Sequence, residues 1–275
     1  MAKRHITEKS SAVVTGAGSG IGRAFALALA HRGGRVVCAD INLSTAQETV
    51  DLIVAIGGQA LAVRCDVSVL ADVEALAVSA EAWLGGPVDL VINNAGVGVG
   101  GKVVGDVSIE DWSWTLGINL WGVIHGCHVF APKLRAHGTG GIINVCSTAS
   151  FAAAPTMGPY NVSKAAALAL TETLSAELSG SGIHVTALCP TFVKTNIVRD
   201  GRIDAQASQM GGKIMQWIGF TPERVVELAL AGLDRNQLYV LPQMDARMIW
   251  RSKRLVPALY ARGAGLINRF ALKAQ

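Results

Sequence analysis

The chain has 275 residues, 51% of them hydrophobic and 16% charged, long for an average domain but within reach of one α/β domain with a large core. Its 31 glycines follow no period, which excludes a collagen-like or low-complexity chain. The net charge of +4 is uneven: residues 244–275 hold seven basic residues and one acidic, so the body before them is slightly acidic, which argues against a nucleic-acid-binding protein.

From the N-terminus, short apolar and β-branched runs alternate with helical stretches. SAVVT (11–15) reads as a strand, 20–32 as a helix, RVVCAD (35–40) as a strand and 44–56 as a helix. ALAVRCD (60–66) is a strand, 69–84 a helix and VDLVINN (88–94) a strand. A long helical region over 108–137 precedes the strand GIINVCS (141–147), a helix over 158–179 and the strand IHVTALCP (183–190). A helix over 221–233 opens with Pro222 and Glu223, both suited to a first turn, and LYVLP (238–242) is the last strand. Continuous apolar strands separated by helices predict a single-domain, doubly wound Rossmann fold over residues 1–243, with a seven-stranded parallel sheet and helices on both faces. Residues 191–220 break the alternation and are predicted to form a substrate loop or lid, with Gly211-Gly212 giving it mobility.

Five widely spaced cysteines (Cys38, Cys65, Cys127, Cys146, Cys189) without a CxxC pair predict buried free thiols in a reducing compartment, and hence a cytoplasmic protein. The stretch MAKRHITEKS has no apolar core, so no signal peptide is expected. Trp112–Pro132 lacks charged residues, but its Asn119, histidines and glycines point to a buried helix rather than a membrane span. His125 and His128 flank Cys127 with no carboxylate to complete a site, so no metal is expected.

The first strand runs into TGAGSGIG (15–22). Glycines at 16, 18, 20 and 22 allow a tight turn and close approach of a pyrophosphate, and the following helix points free N–H groups at the anion. The second strand ends at Asp40, 18 residues past Gly22, where a carboxylate can hold both ribose hydroxyls of NAD and repel a 2′-phosphate. Ile41 follows, and no Arg or Lys lies between Asp40 and Arg64, so NAD is preferred over NADP.

TGAGSGIG, then NNAG at 93–96, then Tyr160-x-x-x-Lys164 resemble the short-chain dehydrogenase/reductase family over about residues 8–242. The resemblance implies a nicotinamide-dependent oxidoreductase acting on an alcohol or carbonyl, active as a homodimer or homotetramer. It implies a cofactor site of Gly16, Ser19, Gly20, Ile21, Gly22, Asp40, Ile41, Asp66, Val67, Asn93, Ala95, Gly96, Tyr160, Lys164, Pro190, Val193 and Thr195, and a catalytic set of Asn119, Ser147, Tyr160 and Lys164. In that scheme Tyr160 is the general acid/base, Ser147 holds the substrate oxygen, Lys164 holds the nicotinamide ribose and lowers the phenol's pKa, and Asn119 anchors a water that relays protons. Thr191 stands where the family usually has Gly. The chemistry suits the residues: a phenol, with a pKa near ~10, needs a neighbouring positive charge to exchange a proton near neutral pH, and Lys164 lies one helical turn away on the same face.

Phe151, Met157, Phe192, Met210, Met215, Trp217 and Phe220 predict an apolar pocket for a secondary alcohol or ketone of steroid, terpenoid or acyl-chain type, with Ser147, Phe151, Tyr160 and Phe192 touching the substrate. Alternatives are an NADP-dependent carbonyl reductase, a non-catalytic dinucleotide-binding module, or an epimerase or dehydratase with retained NAD. The stretch 244–275 mixes Trp250, Leu255, Leu259, Tyr260, Ile267 and Phe270 with basic residues. It reads as an amphipathic extension that packs on a subunit or the lid, lies on a membrane surface, or forms a loosely ordered end.

Overall fold

The computed structural model describes residues 5–195, 197, 201–204, 217 and 219–273, with side chains to Leu266. The strands are β1 (Ser11–Thr15), β2 (Arg35–Asp40), β3 (Gln59–Arg64), β4 (Leu90–Asn93), β5 (Val99–Gly100), β6 (Gly140–Val145), β7 (Ile183–Leu188), β8 (Arg202–Ile203) and β9 (Tyr239–Val240). Seven form one parallel sheet in the order β3-β2-β1-β4-β6-β7-β9, as the alternating pattern predicts. The chain winds outward from β1 to β3, returns to the other side at β4 and proceeds to β9. The reversal between β1 and β4 opens a crevice at the carboxyl ends of the strands, where such sheets take their ligands.

Both faces of the sheet are covered, which is why its central strands carry no polar alternation. On one face lie α1 (Gly20–His31), α2 (Leu43–Ala55) and a later helix, α8 (Pro222–Asp234), around Phe25, Leu29, Ile53 and Leu230. On the other lie α3 (Leu70–Leu84), α5 (Gly122–His137) and α7 (Gly158–Glu177) around Leu76, Phe130, Leu134 and Leu178. Each such buried side chain contributes about 1.5–3 kcal/mol. Thr221 caps α8 by accepting from the Arg224 amide, with Pro222 in the first turn.

The predicted helix over 108–137 is three pieces: α4 (Ile109–Leu116), a π-turn over Gly117–Trp121, and α5. Three further elements carry no clear signal in the sequence. They are the one-turn helix α6 (Ala149–Ala152), the parallel β5–β8 pair, and a division of the basic extension into α9 (Met244–Leu255) and α10 (Pro257–Lys273). The division falls at Val256, since a residue before proline avoids helical backbone. α9 rests on β9, with Trp250 edge-on to Tyr239 at 5.7 Å and Arg254 stacked on Trp250 at 3.9 Å. α10 is pinned by the Tyr260 hydroxyl, which donates to the Ala152 carbonyl of α6 at 2.8 Å. All five cysteines are buried free thiols. Among the described residues no helix is long and apolar enough to cross a membrane, and no His/Cys/Asp/Glu group could hold a metal.

Candidate active site

The carboxyl ends of β1, β2, β4, β6 and β7 open onto a cleft of about 520 Å³, within the range of small-molecule sites. At one end lies the glycine turn. Gly16 and Gly20 have φ of 63° and 51°, conformations that L side chains rarely adopt. A Cβ on Gly18 would lie 2.2 Å from Thr45 Oγ1, and one on Gly22 2.0 Å from the Gly16 carbonyl oxygen. The turn is tied to the neighbouring strand: the Asn94 side chain donates to the Thr15 and Gly16 carbonyls at 2.8 and 3.2 Å, and Thr15 Oγ1 accepts from the Asn94 and Ala95 amides. Ser19 precedes α1 without a side-chain capping bond, and the first turn of α1 has no acidic residue. These features leave a helix N-terminus suited to an anion. Asp40 closes this end, one carboxylate oxygen accepting from the Gly18 amide at 2.8 Å and the other from Asn42 at 3.0 Å.

At the other end, the β6–β7 register sets Val145 opposite Leu188, so Ser147 and Pro190 leave the sheet close together. α7 begins at Gly158 with Pro159 in its first turn, which places Tyr160 and Lys164 on one face, one turn apart. Lys164 is buried; its ammonium donates to the Val145 carbonyl at 2.8 Å and stands 5.9 Å from the Tyr160 ring centre. Burial pushes the Tyr160 phenol above the usual tyrosine value, and the Ser147 hydroxyl bonded to it pulls the other way. Burial pushes Lys164 below its ordinary value, opposed by Cys146 and Cys189. For the protein alone, then, the phenol is raised rather than lowered: desolvation is the largest influence on it.

Asn119 sits in the π-turn, fully buried behind the cleft. Its side chain closes a ring with the Val97 peptide, accepting from the amide at 2.7 Å and donating to the carbonyl at 2.9 Å, and it also donates to Ser163 Oγ at 3.3 Å. Gly96 separates it from Lys164: a Cβ there would stand 3.1 Å from Asn119 Oδ1 and 3.4 Å from Lys164 Nζ.

Of the residues expected to bind cofactor, Gly16, Ser19, Gly20, Ile21, Asp40, Ile41, Asp66, Val67, Ala95, Gly96, Tyr160, Lys164, Pro190, Val193 and Thr195 line the cleft. Two do not. Gly22 is packed inside the turn, and Asn93 is buried between β4 and β6, donating to Asn144 at 2.8 Å. Of the residues expected to touch substrate, Ser147 and Tyr160 line the cleft, but Phe151 is part of the core and Phe192 does not reach the cleft wall. The Phe192 carbonyl instead accepts from the Phe220 amide and from Gln243, which holds that backbone against the segment after β9. Met210, Met215 and Gly211-Gly212 lie outside the described residues, and Trp217 is exposed.

Thr191, the first residue of the predicted substrate loop, also lines the cleft, as do Asn94 and Trp114, which the sequence does not single out as site residues. Asn94 stands beside Asn93 in the NNAG stretch, and strand alternation is the signal that separates them: neighbouring side chains face opposite ways. Trp114 is stacked under Arg202 at 4.4 Å, and Arg202 also pairs with Asp111 at 2.9 Å and Glu110 at 3.1 Å. Thr191, in the place of the usual glycine, does not disturb the site. Its hydroxyl bonds Thr148 at 3.2 Å and Asp245 at 3.0 Å, and its amide donates to Gln243 at 3.1 Å.

The family model described as short chain dehydrogenase matches residues 10–206. A Mycobacterium tuberculosis protein named "Probable oxidoreductase EphD" is 35% identical over 255 residues, covering 89% of this chain. The chain spans only 43% of that relative's length. The cyclohexanol dehydrogenase of an Acinetobacter species is 35% identical over 189 residues, 69% of this chain and 75% of that one. Among solved structures, a short chain dehydrogenase/reductase from Burkholderia phymatum in complex with NAD superposes with a TM-score of 0.86 at 34% identity, covering 91% of this chain and 95% of that one. With the sheet, the glycine turn and the Ser147–Tyr160–Lys164 wall in one cleft, the chain belongs to the short-chain dehydrogenase family of oxidoreductases.

Proposed function

We propose that this protein is an NAD-dependent dehydrogenase that interconverts an apolar secondary alcohol and its ketone. One observation carries the reading: Ser147, Tyr160 and Lys164 meet on one wall of the cleft whose other end is the glycine turn and Asp40. The cradle fits a dinucleotide, since a Cβ on Gly16 or Gly22 would strike backbone, one on Gly18 would strike Thr45 and Asp40, and Gly20 has a positive φ. Ser19 and the first turn of α1 would hold the pyrophosphate, Asp40 the adenosine ribose, and Lys164 the second ribose. Ile21, Pro190, Val193 and Thr195 would hold the nicotinamide, which when bound would accept or give the hydride.

The remaining steps fall to the chain's own residues. Ser147 and the phenol hold the substrate oxygen. In oxidation Tyr160 takes the hydroxyl proton as phenolate, and in reduction it returns it. Ser147 favours the charged form by hydrogen bonding, and the Lys164 amine stands one turn away, 5.9 Å from the ring centre. Asn119 acts as a positioning residue: by fastening Val97 it keeps Gly96 between itself and Lys164.

The direct test is to follow NADH formation across a panel of cyclic, steroidal and long-chain alcohols, with NADP run in parallel. Turnover with NAD on the apolar alcohols supports the proposal; no turnover on any of them sinks it. An Asp40→Asn variant should weaken NAD by about tenfold or more, because a charge-assisted hydrogen bond contributes about 1.5–3 kcal/mol. It should also narrow the preference over NADP. A Ser147→Ala variant should shift the rising limb of the kcat/KM profile for alcohol oxidation to higher pH, because its hydroxyl pulls the phenol's pKa down. A profile that stays in place or moves to lower pH would contradict the role given to Ser147.

A further inference from the structure

α9 turns one face to the body, with Ala246 fully buried and Ile249 and Trp250 packed on the core. Its opposite face carries Met244, Met248 and Leu255, each more than half exposed. They are spaced four and seven residues apart and so form one ridge. Arg251 lies on this ridge, and Arg247 and Arg254 lie along one side of it. Past the bend, α10 repeats the arrangement, with Leu259 and Leu266 exposed and Arg262 between them. The one acidic residue of the extension, Asp245, is exposed, and one of its carboxylate oxygens accepts from the Thr191 hydroxyl and the Ala246 amide. Among the described residues, Arg251, Lys253 and Arg262 have no ion-pair partner.

We propose that α9 and α10 dock this protein on an anionic lipid bilayer, with the apolar ridge in the headgroup boundary and the arginines on the lipid phosphates. Neither helix is apolar enough to span a membrane, and an apolar stripe with a cationic flank is the pattern of helices that lie in the interface. A second copy of the chain fits this face less well. A symmetric contact sets each patch against itself, which would oppose Arg251 and Arg262, neither of which has an ion-pair partner among the described residues, to their own copies; Arg254 alone pairs with a carboxylate, Glu172, at 3.8 Å. A bilayer supplies both the apolar layer and the negative charge.

The docking face is mechanically joined to the cleft. Asp245 bonds Thr191, Thr191 bonds Thr148 beside Ser147, and Tyr260 holds the turn of α6. An apolar substrate dissolved in the lipid would then meet the protein on the side where α6 and Ser147 lie. This inference goes beyond the dehydrogenase reading, and its test requires no turnover.

Full-length protein is sedimented with vesicles of phosphatidylcholine alone and with about 30% phosphatidylglycerol added. The expected result is binding to the anionic vesicles, little to the neutral ones, and loss of binding as salt rises. Each arginine near an anionic surface is worth roughly fivefold in affinity. Arg251→Glu/Arg262→Glu should therefore lower binding by about tenfold or more, and Leu255→Glu/Leu259→Glu should do the same through the ridge. All four positions are exposed, and unchanged thermal unfolding confirms that each variant folds. Wild-type protein that stays in the supernatant with anionic vesicles overturns the proposal, as does binding that neither variant alters. It is equally overturned if the protein ignores vesicles and Leu255→Glu/Leu259→Glu instead splits a stable oligomer, which makes the face a subunit contact.

Discussion

Tyr160→Phe is expected to cut kcat/KM for alcohol oxidation by about 10²–10⁴-fold, the usual share of a general acid–base group, with dinucleotide binding retained. The substitution removes only the phenolic oxygen. The ring stays against Lys164, and the ammonium keeps its bond to the Val145 carbonyl, so the wall should not collapse. The measurement is steady-state kinetics beside a calorimetric titration of NADH. A Phe variant that turns over as fast as the wild type would refute the proton-transfer role. A variant that loses both turnover and NADH binding would show that Tyr160 supports the cofactor site rather than the chemistry. Burial holds the phenol above its usual value, so wild-type oxidation should quicken toward alkaline pH, and the residual activity of the Phe variant should lack that limb.

Gly22→Ala is expected to damage the other end of the cleft. Gly22 does not line the cleft, yet its added Cβ would fall 2.0 Å from the Gly16 carbonyl oxygen and 2.5 Å from Asn94 Nδ2. The first is backbone and cannot rotate away; the second is the side chain that ties the glycine turn to β4. Overpacking of this kind typically costs 1–3 kcal/mol and occasionally more, so a loss of about 3 kcal/mol is expected, or about 10 °C in Tm for a domain of this size. The surviving folded protein should bind NAD far more weakly, because Gly16 must move. Thermal unfolding and an NADH titration read the two effects separately. Unchanged Tm with unchanged NAD affinity would mean that the turn relaxes at little cost.

Most of the frame was legible in the residue order, because its signals are local. Apolar runs of strand length between helical stretches specify a parallel sheet buried on both faces, and all seven expected strands are in it. The strand–glycine turn–helix sequence marks the anion site, and Asp40 follows at the end of the next strand. The four-residue step from Tyr160 to Lys164 already puts them on one helix face. What the tertiary structure alone decided depends on groups far apart in the chain. The π-turn at Asn119 exists with its side chain bonded to Val97, 22 residues away, and no periodicity reports that. Phe151 and Phe192 carry apolar surface that suits a pocket wall or a core equally well, and packing sent Phe151 to the core. Thr191 stands in a loop where the family usually carries glycine. It is held by Thr148, Gln243 and Asp245, the last 54 residues on. Sequence composition determined that the extension is basic and amphipathic. Its bend at Val256 is set locally by Pro257, but its anchor on Ala152 and the outward face of its leucines follow from where α6 and β9 stand, because burial is settled by neighbours in space rather than neighbours in sequence.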